Sequence, residues 1–194
     1  MKTFIKSIRI TLVFCIFFAV FYVLVLGLFA KIAGPNNGDA EIIKYRGKTV
    51  GASNVGQMFT KDIYFWGRPS CAGTGYDASS SSGSNKGPSN KDYLKEVNSR
   101  ITFFLRHHPY LRREDIPAEM VTASGSGLDP DISPESAYIQ VRRIARARGC
   151  SEQMVKTIID KAIDKPLLSL FGPEKVNVLK LNVALDKYIS PKFK

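Results

Sequence analysis

The chain has 194 residues, of which 44% are hydrophobic and 11% aromatic, and this composition excludes a disordered polypeptide. Its formal net charge is +11, and from residue 31 onward 25 Lys and Arg stand against 17 Asp and Glu, a net charge of +8. A basic balance of this size is typical of proteins that meet nucleic acid or anionic lipid headgroups, and also of an ordinary solvated basic surface.

A membrane-spanning helix is predicted at residues 10–30, because every residue from Ile10 to Ala30 except Thr11 is apolar or small, and none is charged. About 20 such residues, at a helical rise of about 1.5 Å each, span the hydrocarbon core of a bilayer. A cleavable signal peptide has a shorter apolar region and a small-residue cleavage site, which do not fit this segment. The sequence therefore predicts an uncleaved single-span anchor.

The anchor divides the chain into parts on two sides of a membrane. Lys2, Lys6 and Arg9 favour a cytoplasmic N-terminus, so that the long domain is expected on the extracytoplasmic side. The predicted parts are a short cytoplasmic N-terminus at 1–9, the transmembrane helix at 10–30, a linker at 31–40 and an extracytoplasmic domain at 41–194.

The extracytoplasmic domain is predicted to be α+β, with three main helices and a few strands. Alternating apolar residues between turn residues indicate the strands, whereas capping residues followed by apolar residues at helical spacing indicate the helices. In chain order, the first predicted elements are strands at Glu41–Tyr45 and Thr49–Ser53 joined at Gly47, and a buried strand or the end of one at Ile63–Trp66. Helices are predicted after Asn90 (or Ser89), Ser133 and Ser151, and a last strand alternates from Val176 to Leu185 with one change of face.

The helix after Ser133 has clear boundary signals and follows a loop rich in glycine and hydroxyl groups. Ser133 suits the N-cap, Pro134 the first helical position and Gly149 the position just after the helix. Helical spacing predicts two faces: Tyr138, Val141 and Ala145 inward, and Arg142, Arg143, Arg146 and Arg148 largely outside. The arginine face is interpreted as solvated, with a partner subunit or lipid headgroups as the functional option. Nucleic acid is not expected, because an exported domain rarely meets it.

Sequence motifs for catalysis or metal binding are missing. There is no phosphate-binding G-x-x-x-x-G-K-[ST] loop and no G-x-S-x-G motif, although Gly125-Ser126-Gly127 and the serine-rich loops leave a serine hydrolase open. His107 and His108 are expected to form a solvated helix end. Cys71 and Cys150 are either paired or two small hydrophobic residues. We expect no catalytic centre, no metal site and no firmly bound cofactor.

Arg68 lies where the chain turns after Trp66, the only tryptophan. Its guanidinium is expected either to stack on an aromatic ring or to contact a partner.

Four stretches resemble the C subunits of Kdp-type high-affinity potassium-transporting ATPases, the KdpC family. They are Tyr64–Ser70 (YFWGRPS), Gly83–Asn90 (GSNKGPSN), Val121–Gly149 and Val176–Asp186 (VNVLKLNVALD), and they follow the order of the family. With the N-terminal span, the resemblance covers nearly the whole chain. The sequence departs from the family pattern at Asn54-Val55 and at Pro173, outside these motifs.

The resemblance implies a non-catalytic subunit of an ATP-driven potassium uptake complex in the bacterial inner membrane. Its partners would be a potassium-channel-like subunit, a P-type ATPase subunit and a very small single-span subunit, and the complex would handle ATP and potassium. The family is described as an assembly factor and a catalytic chaperone that raises the ATP affinity of the pump subunit. Gln140, within the match at Tyr138–Val141, is among the residues linked to nucleotide.

The expected topology conflicts with direct contact between Gln140 and ATP, since a P-type ATPase binds nucleotide in the cytoplasm. Coupling through membrane partners requires only different contacts in two states. We expect the domain to cap the outer potassium entrance, where neutral oxygens suit potassium. The candidates for partner or ion-path contacts are Arg68, Ser84, Asn85, Ser124, Gly125 and Ser126. An anchored extracytoplasmic binding module and a serine hydrolase are the alternatives.

Overall fold

The computed structural model describes residues 1–166 and 168–189, and it divides the chain into two compact units, Met1–Glu41 and Ile42–Lys194. The first unit contains helix α1 (Lys2–Ala33), which in the described part of the chain is the one helix long and apolar enough to cross a membrane. A π-helical segment at Phe17–Tyr22 interrupts its regular hydrogen bonding. The large apolar side chains of α1 are exposed, which suits a helix surrounded by lipid.

The second unit begins with a β-hairpin. Strands β1 (Ile42–Tyr45) and β2 (Lys48–Ala52) pair antiparallel, with Tyr45 opposite Lys48. Positive φ angles at Arg46 (49°) and Gly47 (78°) make the two-residue turn, whose twist matches that of the strands. The two strands predicted here are confirmed to within one residue at each end, and so is the turn at Gly47.

The described part of the second unit contains five α-helices, and the first is α2 (Lys91–His107). The Asn90 side chain caps α2 by accepting hydrogen bonds from the backbone N–H groups of Asp92 and Tyr93, as the sequence predicts. The helix predicted after Ser133 is split in two at Ile139 and Gln140, where the Gln140 N–H donates to the Ala137 carbonyl, three residues earlier, over 3.1 Å. The remaining bounds are α3 (Pro134–Tyr138), α4 (Val141–Arg148), α5 (Glu152–Ala162) and α6 (Val178–Tyr188).

A small antiparallel sheet lies among these helices, and its strands are β3 (Asp131–Ile132), β4 (Ile163–Asp164) and β5 (Lys175–Asn177) in the order β3-β5-β4. The core packs around it. Fully buried apolar side chains come from the sheet and from every helix after α2, namely Ile132, Ala137, Ile144, Val155, Ile159, Val176, Leu181 and Leu185. The α+β class is confirmed.

The strand predicted from Val176 to Leu185 is wrong beyond Asn177. The Asn177 side chain accepts a hydrogen bond from Lys180 N–H over 3.0 Å and thereby starts α6. The buried residues Val178, Leu181, Asn182 and Leu185 recur at helical spacing. Over a short run, alternating leucine and valine fit the spacing of a strand and the spacing of a helix equally well. The Asn177 cap decides for the helix. The end of the predicted domain, at 190–194, lies outside the described residues.

The strand predicted at Ile63–Trp66 is also wrong. Ile63 lies in a turn and Tyr64 in a bend, and the buried residues Phe65 and Trp66 pair with no strand in the part of the chain that the structure describes. Side chains of two helices make the hydrogen bonds that neighbouring strands would otherwise supply.

Candidate functional site

Two side-chain amides hold the backbone of Phe65 and Trp66 from opposite sides. Asn182 accepts from Phe65 N–H over 2.8 Å and donates to the Phe65 carbonyl over 3.0 Å. Gln140 accepts from Trp66 N–H over 2.8 Å and donates to the Trp66 carbonyl over 3.1 Å. We call these four residues the amide clasp. Successive residues of an extended chain point their polar groups to opposite sides, so one amide comes from α6 and the other from the start of α4.

Gln140 has no exposed surface, and its amide is fully used. Besides the pair with Trp66, its Nε2 donates to the Ser136 carbonyl over 3.0 Å, and its Oε1 accepts from Arg143 Nη2 over 2.8 Å. The link between Gln140 and nucleotide therefore stays a prediction. In this structure the amide of Gln140 positions the chain just before Arg68.

Arg143 is buried against the same segment, contrary to the prediction that it lies outside. Its Nη1 donates to the Asp62 carbonyl over 2.6 Å and its Nη2 to the Tyr64 carbonyl over 3.0 Å. Its Cζ lies 4.2 Å from the centre of the Trp66 ring. Burial lowers the pKa of the Arg143 guanidinium to about 10, which still leaves it charged at neutral pH.

His108 is also buried, so the prediction of a solvated helix end is wrong for it. Its Nε2 accepts from Arg143 Nε over 2.9 Å, which requires that Nδ1, 2.8 Å from the Phe104 carbonyl, carries the proton. Burial, followed by the nearby Arg143 charge, lowers the pKa of His108 from 6.5 to about 4. His107 instead pairs with Asp62 over 2.8 Å.

Arg148 is the second arginine predicted outside that the structure buries. Its Nε donates to the Ile63 carbonyl over 2.7 Å, its Nη1 to the Ile189 carbonyl over 2.6 Å, and its Nη2 pairs with Asp186 over 2.7 Å. The physical reason is the same as for Arg143. Carbonyls of residues 62–64 have no strand partner, and guanidinium donors satisfy them. Arg142 and Arg146 are exposed, as predicted.

The chain after the clasp forms a loop cluster, which we define as residues 67–87 together with 122–129. Ser70 Oγ donates to the Gly127 carbonyl over 2.6 Å, and the Ser126 carbonyl accepts from Ser81 Oγ and Ser82 N–H, both over 2.9 Å. Gly127 has a φ of 69°, and a Cβ there would lie 2.6 Å from the Ser82 carbonyl oxygen. The two loops are therefore locked together at close approach.

Arg68 connects the clasp to the loop cluster. Its Nη1 pairs with Asp129 over 2.9 Å, and its carbonyl accepts from the Tyr76 hydroxyl over 2.5 Å. Burial raises the pKa of Tyr76 to about 12, so the hydroxyl keeps its proton. Within the described residues, Arg68 Nε is buried without a hydrogen-bond partner. The guanidinium that stacks on the Trp66 ring is that of Arg143, not that of Arg68.

The structure brings the six candidate contact residues together in the loop cluster. Asn85, Gly125 and Ser126 are exposed, Ser84 is half-buried and Ser124 is buried. A Cβ at Gly83 would lie 2.7 Å from the Gly125 carbonyl oxygen, which places the segment that leads into Ser84 and Asn85 beside Gly125. Arg68 joins them through Pro69, whose carbonyl accepts from Ser124 N–H over 3.2 Å.

An apolar cavity of about 470 Å³ opens between the loop cluster and α2. Trp66 and Phe104 line its inner wall, and Arg68 and Tyr76 line the loop side. At its mouth Met58 and Phe103 are 55% and 49% exposed, although both are large and apolar. Exposed apolar surface beside a polar rim is typical of a protein contact surface.

The described residues contain no group of three or more His, Cys, Asp or Glu that could hold a metal ion. Cys15, Cys71 and Cys150 are free thiols. Both ring nitrogens of His108 are engaged, by Phe104 and by Arg143, and His107 pairs with Asp62 rather than a serine. The geometry of the two histidines therefore gives no support to a serine hydrolase.

Known proteins resemble this chain over nearly its whole length. A family model described as K+-transporting ATPase, c chain, matches residues 4–187. A protein of Phocaeicola vulgatus named potassium-transporting ATPase KdpC subunit is 68% identical over 187 residues, which are 96% of this chain and 99% of that protein. Proteins of the same name from Flavobacterium johnsoniae and Caulobacter vibrioides are 51% and 47% identical, over 96% and 84% of this chain and 99% and 81% of their own lengths. The chain therefore belongs to the KdpC family, the c chains of potassium-transporting ATPases.

Proposed function

We propose that the chain is a non-catalytic subunit of an ATP-driven potassium uptake complex and that its loop cluster docks on a partner subunit at the outer potassium entrance. The observation that carries this proposal is the locking of the two loops through the carbonyls of Ser126 and Gly127. A surface that is already rigid loses little conformational entropy when a partner binds, so it suits stable assembly. The partners would be a potassium-channel-like subunit, a P-type ATPase subunit and a small single-span subunit.

Membrane orientation is part of the proposal. The basic residues at the start of α1 favour a cytoplasmic N-terminus in the bacterial inner membrane, with residues 41–194 on the outer side. In a chain whose cysteines are replaced by serine, Ser80→Cys in the exposed serine run should react with an impermeant thiol reagent in intact cells. Thr3→Cys should react only after the cells are permeabilised. The reverse pattern would overturn the orientation.

The apolar cavity offers a partner subunit the apolar contact surface that the polar loops lack. Met58 and Phe103 expose apolar surface next to Arg68, whose Nε has no partner within the described residues. Anchoring side chains of a partner that enter such a cavity contribute most of the affinity of an interface. We therefore place the partner contact on the loop cluster and the cavity together.

Potassium contact is proposed for the exposed oxygens of the loop cluster. Ser84, Asn85 and Ser126 offer side-chain oxygens, and neutral oxygens of this kind replace water around potassium. Ser124 is buried, so we assign it to the support of the loop rather than to the ion path. The net charge of +8 from residue 31 onward opposes a general attraction of cations, and any effect on potassium is therefore local.

The effect on ATP affinity attributed to the family is proposed to be indirect. Gln140 is buried and holds Trp66, which precedes the Arg68 loop by two residues. A change at Gln140 would therefore alter the loop cluster and its partner contact. If that contact differs between two states of the pump subunit, it shifts the equilibrium between them and with it the affinity for ATP.

The test compares potassium uptake by complexes that carry two matched triple variants. Ser84→Ala, Asn85→Gly and Ser126→Ala remove two hydroxyls and one amide from the loop cluster, and glycine preserves the positive φ of Asn85 (50°). Thr102→Ala, Thr157→Ala and Gln153→Ala remove the same groups from exposed helix faces. The proposal expects weaker co-purification with the partner subunits or a higher half-saturating potassium concentration for the loop variant alone. Equal behaviour of both variants and the unchanged chain would refute it.

A further inference from the structure

A second cavity, of about 700 Å³, lies between the end of α2 and α4 and is lined mostly by basic side chains. We call it the arginine cavity. Its lining residues are Asp62, Arg106, His107, Pro109, Tyr110, Arg142, Arg143, Arg146 and Ala147. Among the described residues it shares no lining residue with the apolar cavity beside the loop cluster, and the proposed potassium contact does not use it.

Three guanidinium groups of the arginine cavity have no carboxylate partner among the described residues. Arg106, Arg142 and Arg146 take part in none of the ion pairs, which elsewhere engage Arg68, Arg112 and Arg148. The Arg142 guanidinium lies over the Tyr110 ring, with its Cζ 5.1 Å from the ring centre, and this contact holds it at the cavity wall.

Arg143 adds a fixed positive charge at the floor of the cavity. Most of its hydrogen bonds go to neutral acceptors, namely a His108 ring nitrogen, two backbone carbonyls and the Gln140 amide. The carboxylate of Asp62 is 3.7 Å from its Nη1, but that carboxylate also pairs with His107 over 2.8 Å. One carboxylate therefore faces four guanidinium groups. Glu152 lies near enough to act on Tyr110, but within the described residues it forms no ion pair.

We propose that the arginine cavity is a binding site for a negatively charged phosphate group, supplied either by a lipid headgroup or by a free phosphate compound. Guanidinium groups bind phosphate through paired, charge-assisted hydrogen bonds, and several of them converging on one concavity match its several oxygens. The volume lies in the range of ordinary small-ligand sites. Arg143 contacts both Trp66 and Gln140, which connects the wall of the arginine cavity to the amide clasp.

The test measures direct binding to the full chain in a nonionic detergent at constant ionic strength. One arm uses radiolabelled pyrophosphate in equilibrium dialysis. The other uses radiolabelled phosphatidylglycerol in mixed micelles, with phosphatidylcholine as the reference, and counts the lipid retained per chain. Trp66 lies beside Arg143 and His107, so its fluorescence reports whether each variant is folded, and the loss of binding in the arginine variants assigns the probe to this cavity.

The variants are Arg142→Gln with Arg146→Gln and, separately, Arg106→Gln. The control is Lys91→Gln with Lys156→Gln, which removes two charges from exposed positions elsewhere on α2 and α5. In the arginine variants, loss of charge-assisted hydrogen bonds should raise the dissociation constant of the bound probe at least about tenfold. In the control variant, the dissociation constant should change less than about twofold.

Pyrophosphate binding with this pattern supports a free phosphate compound as the ligand. Retention of phosphatidylglycerol alone, with the same pattern, supports a lipid headgroup. Binding of neither probe, or an equal loss in the control, overturns the proposal.

Discussion

The side-chain amide of Gln140 pairs with the backbone of Trp66 in both directions, over 2.8 Å to its N–H and 3.1 Å to its carbonyl. Asn182 repeats the arrangement at Phe65. Two helices thus satisfy an extended segment that no strand accompanies in the described structure. The loop cluster begins at the next residue, Gly67, so the clasp fixes the point from which it leaves the core.

Replacing Gln140 by leucine should destabilise the domain strongly. The substitution leaves the Trp66 N–H, the Trp66 carbonyl and one Arg143 donor without partners, and each buried unpaired group costs about 1–3 kcal/mol. We expect the free energy of unfolding to fall by roughly 3–5 kcal/mol. Urea unfolding in detergent, followed by Trp66 fluorescence, measures it. Gln153→Leu, at an exposed position of α5, is the control. A similarly small change in the free energy of unfolding of both variants would show that the clasp contributes little to stability.

Arg148→Lys should also destabilise the domain, even though it keeps the positive charge. A lysine ammonium cannot reach the Ile63 carbonyl, the Ile189 carbonyl and Asp186 together, because these acceptors match the planar guanidinium. The expected loss is about 2–4 kcal/mol in the free energy of unfolding. Arg146→Lys, exposed on the same helix, should change it by less than about 0.5 kcal/mol. Equal midpoints in a denaturant titration of the two variants would contradict this prediction.

His108 should make the domain less stable as the pH falls below neutrality. The pKa of His108 is about 4 in the folded chain against 6.5 for a free histidine, so the unfolded chain takes up the proton first. The contribution of His108 is complete above pH 6.5 and is lost between pH 6.5 and pH 4, by on the order of 3 kcal/mol. His108→Gln should flatten this part of the stability profile. An unchanged slope of unfolding free energy against pH in that variant would rule out His108 as its source.

Gly127→Ala should separate the two loops of the cluster, whereas Gly125→Ala should not. A Cβ at Gly127 meets the Ser82 carbonyl and the Ala72 N–H at 2.6 and 2.7 Å on a backbone with φ of 69°, but a Cβ at Gly125 meets nothing within 4 Å. Strain and displacement together should cost about 2–4 kcal/mol and expose the serine run to protease. Limited proteolysis of the two variants gives the comparison. Equal cleavage rates would mean that the loops are not held by this contact.

Local signals predicted much of the fold. The hairpin turn at Arg46-Gly47 and the caps at Asn90, Ser133 and Ser151 depend on neighbouring residues, and sequence reasoning placed them correctly. The error from Val178 to Leu185 arose because alternating leucines and valines fit a strand and a helix equally well over so short a run. Asn182 is polar among the apolar residues of α6, and this pattern in the sequence indicates a buried side chain with a hydrogen-bond partner in another segment.

The part of the candidate site that the sequence predicted is the part formed by the loops. The resemblance to KdpC proteins identified the stretches that hold Arg68, Ser84 and Ser126, and the structure joins them. Burial of Arg143 and Arg148 was not predictable, because it depends on carbonyls of residues 62–64, about 80 residues earlier in the chain, that lack strand partners. Helical spacing predicts the direction of a side chain on its helix, but not which distant segment of the chain packs against it.

The amide clasp also sets the order of events as the chain is made. Phe65 meets Asn182 across 117 residues, and Trp66 meets Gln140 across 74. Until α6 has been made, the native partner of the Phe65 backbone is absent, and the loop cluster lacks one of the two amides that hold its start. The native contacts at the start of the loop cluster, the surface that we assign to subunit contact, can therefore be complete only after nearly the whole chain has been made.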